Sequence, residues 1–149
     1  MTPKTKRTIL FTVLCLVAIG AGVGYYFYNK KPLNPNDVSP DTKTTSIELY
    51  QAFAKDTVVA KKNFSRKDEV VEVSGIVSRI SQNQDKKAII LLKTSEEGAY
   101  INCTMRGPEE NIKEADSVNL KGICTGMNGG APDMGVLGDV YMIECYRIK

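Results

Sequence analysis

The clearest pattern along the chain is an uninterrupted apolar segment near the N-terminus. Residues 8–28 carry no charged side chain, and a helix of this length would rise about 30 Å, which is the thickness of a bilayer core. The pattern therefore predicts a single-pass transmembrane anchor over residues 8–28. Aromatic side chains close the segment as in an interfacial belt, namely Tyr25, Tyr26, Phe27 and Tyr28.

A cleaved signal peptide is the alternative interpretation of this segment. Ala18 and Gly20 are small residues at the spacing that a signal peptidase site requires. The apolar segment nevertheless continues past them through the aromatic cluster, which favours an uncleaved anchor. Gly20 and Gly24 also have the GxxxG spacing of closely packed membrane helices, although glycine is common in membrane spans generally.

Proline marks the next segment. Pro32, Pro35 and Pro40 lie among Asn and Asp residues between positions 29 and 44. Proline donates no backbone hydrogen bond and interrupts helices, so this composition disfavours regular structure. We predict an extended linker over residues 29–44, followed by a folded domain over residues 45–149.

The folded domain begins with a helical pattern. Thr45 or Ser46 can cap a helix, and apolar residues follow at helical spacing. We predict one helix or two short helices over residues 46–62, with Phe64 packed at their end. The side chains predicted to share the buried face are Ile47, Tyr50, Phe53, Ala54 and Val58.

Five strand-like segments follow the helical region, because their apolar residues alternate or run continuously over short stretches. A short helix is predicted from Gly107 to about Ala115, where a proline precedes two acidic residues. The predicted strands are Val70–Ile80, Ala88–Thr94, Tyr100–Met105, Ser117–Thr125 and Asp139–Ile148.

The alternation also predicts which side chains share a face. In the last strand, Tyr141, Ile143 and Cys145 stand at alternate positions and are predicted to share one face. Helix, three strands, short helix and two strands is the order of an OB-fold barrel. The predicted fold class is therefore all-β dominated, a five-stranded OB-fold domain with short helices, preceded by an N-terminal helix and a single transmembrane helix.

Several short motifs occur in order between residues 45 and 149. They are Ala60 with Phe64, Val71-x-Val-x-Gly-x-Val77, Ile101-x-Cys103, Gly122-x-Cys-x-Gly126 and Asp139-Val-x-Met-x-x-Cys145. As an ordered set they resemble the tRNA-anticodon-like OB-fold family of small bacterial membrane-anchored and exported proteins. The resemblance implies an OB fold and a surface of the kind that binds nucleic acid, and it implies no established activity.

Charge is unevenly distributed along the chain. The formal net charge is +3, but five basic residues flank the apolar segment, and the remainder is close to neutral. Such a domain lacks the broad basic surface of a typical nucleic-acid binder. Applied to the flanks, the positive-inside rule predicts that residues 1–7 are cytoplasmic and that the C-terminal domain is extracytoplasmic, at a bacterial inner membrane. The flanking residues are Lys4, Lys6, Arg7, Lys30 and Lys31.

Three cysteines lie on predicted strands that are neighbours in an OB barrel. The strand of Cys145 should lie between those of Cys103 and Cys124, which brings the three thiols together. They can be small buried residues, or one pair can form a disulfide in an oxidising compartment. Among the pairs, a shared hairpin favours Cys124–Cys145. No metal site is predicted, because the chain has no His and no CxxC motif.

No arrangement of residues suggests catalysis. The absence of His removes the usual general base. Asp133 and Asp139 flank a glycine-rich loop, where carboxylates commonly stabilise turns. Residues 126–130 lack the GK[ST] ending of a phosphate-binding loop. We therefore predict no catalytic residue, no cofactor and a binding module rather than an enzyme.

Two loops of an OB barrel commonly contact its ligand. Here they correspond to the polar loop 81–87 and the glycine-rich loop 127–138. The predicted partner is an envelope protein or a glycan, in addition to the membrane itself. Single-stranded nucleic acid is the alternative, with a local basic group at Lys61, Lys62, Arg66 and Lys67. The candidate ligand-binding residues are Lys86, Lys87, Tyr100, Asn128, Asp133 and Met134.

Overall fold

A computed structural model of the chain describes residues 3–30, 33–106, 111–130 and 136–148. It divides into two compact units, Met1–Leu33 and Asn34–Lys149. The first unit contains helix α1 (Pro3–Asn29). Within α1, the segment Phe11–Asn29 is long and apolar enough to cross a membrane. Membrane anchors and signal sequences share this property.

The second unit holds two short helices and six strands. In chain order they are β1 (Thr42–Thr45), α2 (Ser46–Lys55), α3 (Thr57–Phe64), β2 (Val71–Gln82), β3 (Ala88–Lys93), β4 (Tyr100–Met105), β5 (Ser117–Asn128) and β6 (Asp139–Arg147).

Strands β2 to β6 close into a barrel. The sheet order is β1-β2-β3-β4-β6-β5, and an additional pairing of β2 with β5 completes the circle. Within the barrel only the pairing of β4 with β6 is parallel. The extra strand, β1, runs parallel to the first part of β2. The predicted five-stranded OB-fold barrel, mostly β with short helices, is therefore confirmed.

The barrel interior is filled by alternate residues of each strand, as the sequence pattern predicted for β2, β4 and β5. Because successive side chains of a strand point to opposite faces, one side of each strand is apolar and buried. The buried strand residues include Val71, Val73 and Val77 of β2, Ile101, Cys103 and Met105 of β4, and Val118, Leu120 and Cys124 of β5.

Helix α2 contributes its side chains to the same core. Thr45 caps the helix, since its hydroxyl accepts a hydrogen bond from the Glu48 amide at 3.2 Å and the Glu48 carboxylate bonds back to the Thr45 amide at 3.1 Å. Leu49, Tyr50 and Phe53 are buried. Their separations of one, three and four positions define a single helical face directed into the barrel.

Three members of the predicted helical face lie outside the core. Ile47 is 46% exposed and Val58 is 65% exposed, and Ala54 is also exposed. Ile47 directly follows the buried Ser46, so its side chain is rotated by about a quarter-turn around the helix from the buried face of α2. The helix also ends at Asp56, whose side chain caps α3, so Val58 belongs to a new helix. Phe64 packs against Phe53, with ring centroids 6.5 Å apart, as predicted.

Residues before α2 lie against the barrel rather than forming a free linker. The backbone amide of Asp41 donates to Val70 O at 2.8 Å, and the amide of Val70 donates to the Asp41 carboxylate at 2.9 Å. The ammonium of Lys121 donates to the carbonyls of Asn36 and Val38. Irregular backbone was predicted up to residue 44, whereas Thr42–Thr45 forms β1. A short threonine-rich segment beyond the last proline has the propensity to add a strand.

The last strand departs most from the predicted assignment of faces. Val140, Met142 and Cys145 are buried, whereas Tyr141 is half-buried on the outer side and Ile143 is 41% exposed. The β5–β6 register shifts between Lys121 and Ile123, and Glu144 has φ of 55°. A bulge therefore inserts one residue before Cys145 and reverses the alternation. The predicted shared face is therefore wrong, because Cys145 points inward whereas Tyr141 and Ile143 do not.

The predicted short helix between β4 and β5 is wrong over its described part, and residues 107–110 lie outside the described residues. From Asn111 to Asp116 the backbone forms turns, with Asn111 and Ala115 at φ of 64° and 69°. The Ala115 amide donates to Val77 O at 2.9 Å, and Asp116 O accepts from the Val77 amide at 2.9 Å. Backbone groups that a helix would use internally are therefore bonded to β2.

Gly75 allows α2 to approach the barrel. A Cβ added at Gly75 would lie 2.7 Å from Ser46 Oγ, 3.0 Å from Ser46 Cβ and 3.3 Å from Leu92 Cβ. The Ser46 hydroxyl donates to Lys93 O at 2.6 Å and cannot simply turn away without losing this bond. The start of α2, the bend in β2 and the end of β3 thus meet at one point.

We expect Gly75→Ala to lower the free energy of unfolding by about 1–3 kcal/mol, because overpacking at this contact forces side chains or backbone to move. In the background of Ser46→Gly, which removes the two nearest of these atoms, the same substitution should cost at least about 1 kcal/mol less. Urea denaturation of the four proteins of this double-mutant cycle measures both effects.

The matched control is Gly129→Ala, since a Cβ added at Gly129 meets no atom within 4 Å. This substitution should leave the denaturation midpoint nearly unchanged. Strictly additive effects of Gly75→Ala and Ser46→Gly would show that the contact is not the cause of the destabilisation.

Candidate functional site

A row of side chains crosses the outer surface of the barrel. In register, Arg79 of β2 lies opposite Leu91 of β3, Leu91 opposite Asn102 of β4, and Asn102 opposite Tyr141 of β6. Directly opposed residues of neighbouring strands project on the same side of the sheet. We refer to these four residues as the outer row.

Tyr100 stands beside the outer row. It is two residues before Asn102 on β4, so its side chain also faces outward, and it pairs with Lys93. Its backbone amide donates to the Asp139 carboxylate at 2.9 Å, which fixes the start of β4 against the start of β6. Tyr100 and Tyr141 are therefore diagonal neighbours on adjacent strands, about 7–8 Å apart along the sheet.

The bulge in β6 gives Tyr141 its outward direction. Gly122 makes room for it, because a Cβ there would lie 2.7 Å from Cys145 Sγ and 2.8 Å from Ile143 O. The left-handed backbone at Glu144 is held by an ion pair between its carboxylate and Arg106. The backbone amide of Arg106 also donates to Cys145 O at 3.0 Å. The end of β4 thus secures the bulge from one side and Gly122 accommodates it on the other.

The predicted candidate residues fall at two ends of the barrel surface. Lys86 and Lys87 are exposed in the turn between β2 and β3, and Asn83 Oδ1 accepts a hydrogen bond from the Lys87 amide at 2.9 Å. Tyr100 pairs with Lys93 at the far end of β3, so the length of that strand, about 20 Å, separates it from the two lysines.

The other predicted residues belong to the end near Tyr100. Asn128 is exposed and pairs with Asp139, the same residue that binds the Tyr100 amide. Tyr100 and Asn128 therefore both lie next to Asp139. Asp133 and Met134 lie outside the described residues.

Sequence reasoning missed most of the outer row. Tyr141 was assigned to the same face as Cys145, and Arg79, Leu91 and Asn102 were not singled out. Strict alternation cannot reveal a bulge, which shifts the face of every residue on one side of it. The available signal was Gly122, a glycine in a strand opposite the segment that contains the bulge, because such glycines often mark a close backbone approach.

A surface pocket of about 430 Å³ adjoins Tyr100. It lies at the turn between β3 and β4. Thr94 holds this turn, since its hydroxyl donates to Ala99 O at 2.8 Å and accepts from the Glu96 amide at 3.2 Å. The lining is polar and carries both signs of charge. It consists of Ser78 and residues 93–100.

A second pocket, of about 420 Å³, lies between α2 and the base of the glycine-rich loop. Tyr50 and Phe53 form one wall, and Met127 and Leu137 belong to the other. Burial raises the pKa of Tyr50, and the nearby carboxylates of Glu96 and Asp139 act in the same direction. The phenol is therefore neutral at physiological pH, and this pocket is largely apolar.

Charge around the outer row and its flanking turns is balanced. A polyanion needs a net positive surface that releases its counterions on binding. This surface carries as many acidic as basic side chains. The basic ones are Arg79, Lys86, Lys87 and Lys93, and the acidic ones are Asp85, Glu96, Glu97 and Asp139.

The three strand cysteines lie behind the outer row, inside the barrel. Cys103 and Cys124 are both paired in register with Met142, from opposite sides of β6. All three are buried free thiols. Burial raises the pKa of Cys124. A hydrogen bond with the Cys103 thiol, together with burial, raises the pKa of Cys145. Among the described residues no group of three or more His, Cys, Asp or Glu side chains is placed to hold a metal ion.

The disulfide Cys124–Cys145 stays a prediction, since the structure holds both residues as free thiols. If the domain folds in an oxidising compartment, peptide mapping under non-reducing conditions should recover these two cysteines in one linked pair. The sample is the full chain, alkylated rapidly when the cells are broken. Recovery of Cys103, Cys124 and Cys145 all as alkylated thiols would contradict this prediction.

Comparison with known proteins agrees with the barrel and its motifs. The profile of the tRNA_anti-like family matches residues 1–137, which is most of the 149-residue chain. The chain matches no curated protein. The family match includes the segments that form β2 to β5 and the bulge-accommodating Gly122. This chain therefore belongs to the tRNA_anti-like family and carries an OB-fold binding module.

Proposed function

We propose that this protein is a membrane-anchored OB-fold binding module of the bacterial cell envelope, with its barrel on the extracytoplasmic side. Support for the anchor comes from the length and apolar character of Phe11–Asn29. Support for the orientation comes from the basic residues around that segment, three before it and two after it. The module acts by binding and not by catalysis.

The observation that carries this proposal is the pair of outward tyrosines on adjacent strands, Tyr100 and Tyr141. Aromatic side chains combine a large apolar face with a hydroxyl group and dominate the energetics of many interfaces. Here they flank Asn102, with Lys93 and Arg79 at the margins. The ligand is an envelope protein or a glycan that lies across the outer row.

Single-stranded nucleic acid is the second candidate ligand, because bases stack on aromatic side chains. The family match and the two tyrosines favour it. The local basic group that sequence reasoning singled out adds less support. Arg66 pairs with Glu69 at 3.3 Å, and a Cβ added at Gly126 would lie 3.1 Å from Lys61 Cε, so the Lys61 stem packs over that glycine. Binding of this kind must weaken steeply as salt rises.

Protease treatment of intact spheroplasts tests the orientation. With an anchor that places its more basic flank in the cytoplasm, we expect the C-terminal domain to be digested without lysis. A cytoplasmic protein serves as the control and should stay intact until the membrane is broken. Protection of the domain until lysis would reverse the proposed orientation and favour nucleic acid as the ligand.

Substitution of both tyrosines tests the binding face. The full chain, immobilised in detergent, should capture envelope material, and Tyr100→Ala combined with Tyr141→Ala should reduce the captured amount about tenfold. Tyr146→Ala is the matched control, since Tyr146 is half-buried on β6 but pairs with Lys121, away from the outer row. Thermal unfolding confirms that each variant is folded. Undiminished capture by the folded double variant would rule out this face as the binding site.

A further inference from the structure

We infer that the outer row, together with Tyr100 beside it, binds a largely uncharged polysaccharide strand, whose sugar rings lie against Tyr100 and Tyr141. This inference rests on the proposed function, because it names the ligand class of the same surface. It depends on three properties of that surface, namely its charge, its unpartnered polar side chains and the pocket at one end.

The charge of the surface disfavours a polyanion. Arg79 belongs to the row and Lys93 lies beside it, but Glu96, Glu97 and Asp139 stand at the same end as Lys93. A phosphate chain following the row would meet about as much repulsion as attraction and would release few counterions. The balanced charge does not weaken the binding of an uncharged chain.

Polar side chains in the row and next to it on β4 are available for neutral hydrogen-bonding partners. Asn102 and Thr104 project outward from β4 and are half-buried. Within the part of the chain that the structure describes, neither side chain has a hydrogen-bonding partner. A half-buried amide without a partner costs free energy unless a ligand or water satisfies it. One carbonyl oxygen and two N–H groups in Asn102 match the mixed donors and acceptors of sugar hydroxyl groups.

The tyrosine rings supply apolar contact area, which the polar side chains lack. A sugar ring has apolar C–H faces and polar edges, so it packs on an aromatic face while its hydroxyl groups reach neighbouring side chains. Tyr100 precedes Asn102 by two residues on β4, and Tyr141 lies opposite Asn102 on β6, so the two tyrosines are in diagonal register. Two rings at this separation support successive sugars of one strand, and no charge is needed on the ligand.

The pocket at the β3–β4 turn extends this surface beyond Tyr100. Its volume of about 430 Å³ lies within the usual range of small-molecule sites. Ser78, Lys93, Ser95 and Glu97 are among the residues that line it. We assign it to the terminal sugar or to a ring substituent of the strand, because its hydroxyl, ammonium and carboxylate groups provide both donors and acceptors.

Isothermal titration of the full chain tests this assignment, in a detergent without a sugar headgroup. The probes are cello-, chito- and malto-oligosaccharides, with oligothymidylate as the anionic comparison. At least one oligosaccharide should bind with an affinity that does not change between low and high salt. Asn102→Ala, and Tyr100→Ala combined with Tyr141→Ala, should each weaken this binding about tenfold or more. Tyr146→Ala should leave it unchanged.

Several outcomes would overturn the polysaccharide assignment. The first is that none of the three oligosaccharides binds. The second is that the Asn102 and tyrosine variants do not weaken the binding. The third is that oligothymidylate alone binds, with an affinity that depends on salt. The proposed function can survive such a result. The module binds a protein if two results are found together. The tyrosine variant captures less envelope material than the unchanged chain, and protease digestion removes the captured material. If that variant loses nothing, the proposed binding face itself fails.

Discussion

The close approach of Ser46 to Gly75 is the contact on which the rest of the domain depends. At this point the first turn of α2, the bend of β2 and the end of β3 are within van der Waals distance. A side chain at Gly75 would push α2 outward and withdraw Leu49, Tyr50 and Phe53 from the core. It would also strain β1, which pairs with β2 up to the residue before Gly75. Because a small domain is only marginally stable, one such displacement removes a large share of its stability.

A second constraint acts where β6 pairs with β5 and β4, and it shapes the proposed binding face. The pairing of Cys145, Tyr146 and Arg147 is fixed by β5 and by the Arg106 amide. The side on which Tyr141 emerges therefore depends on whether an extra residue stands between it and Cys145. With the bulge at Glu144, Tyr141 points outward and Met142 inward. Without it, the alternation would place Tyr141 in the interior and Met142 on the surface. Gly122 and the ion pair of Glu144 with Arg106 thus act on the candidate site from a distance.

These two constraints also explain which parts of the fold and of the candidate site can be predicted from the sequence and which cannot. Alternation assigns the inward faces of β2, β4 and β5, because each is regular over its inward-facing residues and buries only one side. It fails in β6, where a single residue in left-handed conformation reverses the pattern, and glutamate gives no sign of that conformation. It also misses β1, whose Thr-Lys-Thr-Thr sequence carries no hydrophobic signal and is ordered by pairing with β2. Among the site residues, Tyr100 follows from its strand position, whereas Tyr141 requires knowledge of the bulge.

The candidate site and the thiol cluster are the two faces of the same pair of strands. On β4, Asn102 is outside and Cys103 inside, and on β6 Tyr141 is outside and Met142 inside. The seam between β4 and β6 is the parallel pairing within the barrel, and parallel pairs are slightly less stable per residue than antiparallel ones. Its inner side is secured by close packing of sulfur-containing side chains, which adapt to irregular space. The diagonal separation of Tyr100 and Tyr141 is set by the same register. Packing in the interior therefore positions the two aromatic rings of the proposed binding face, so the core of this domain also determines the geometry of that face.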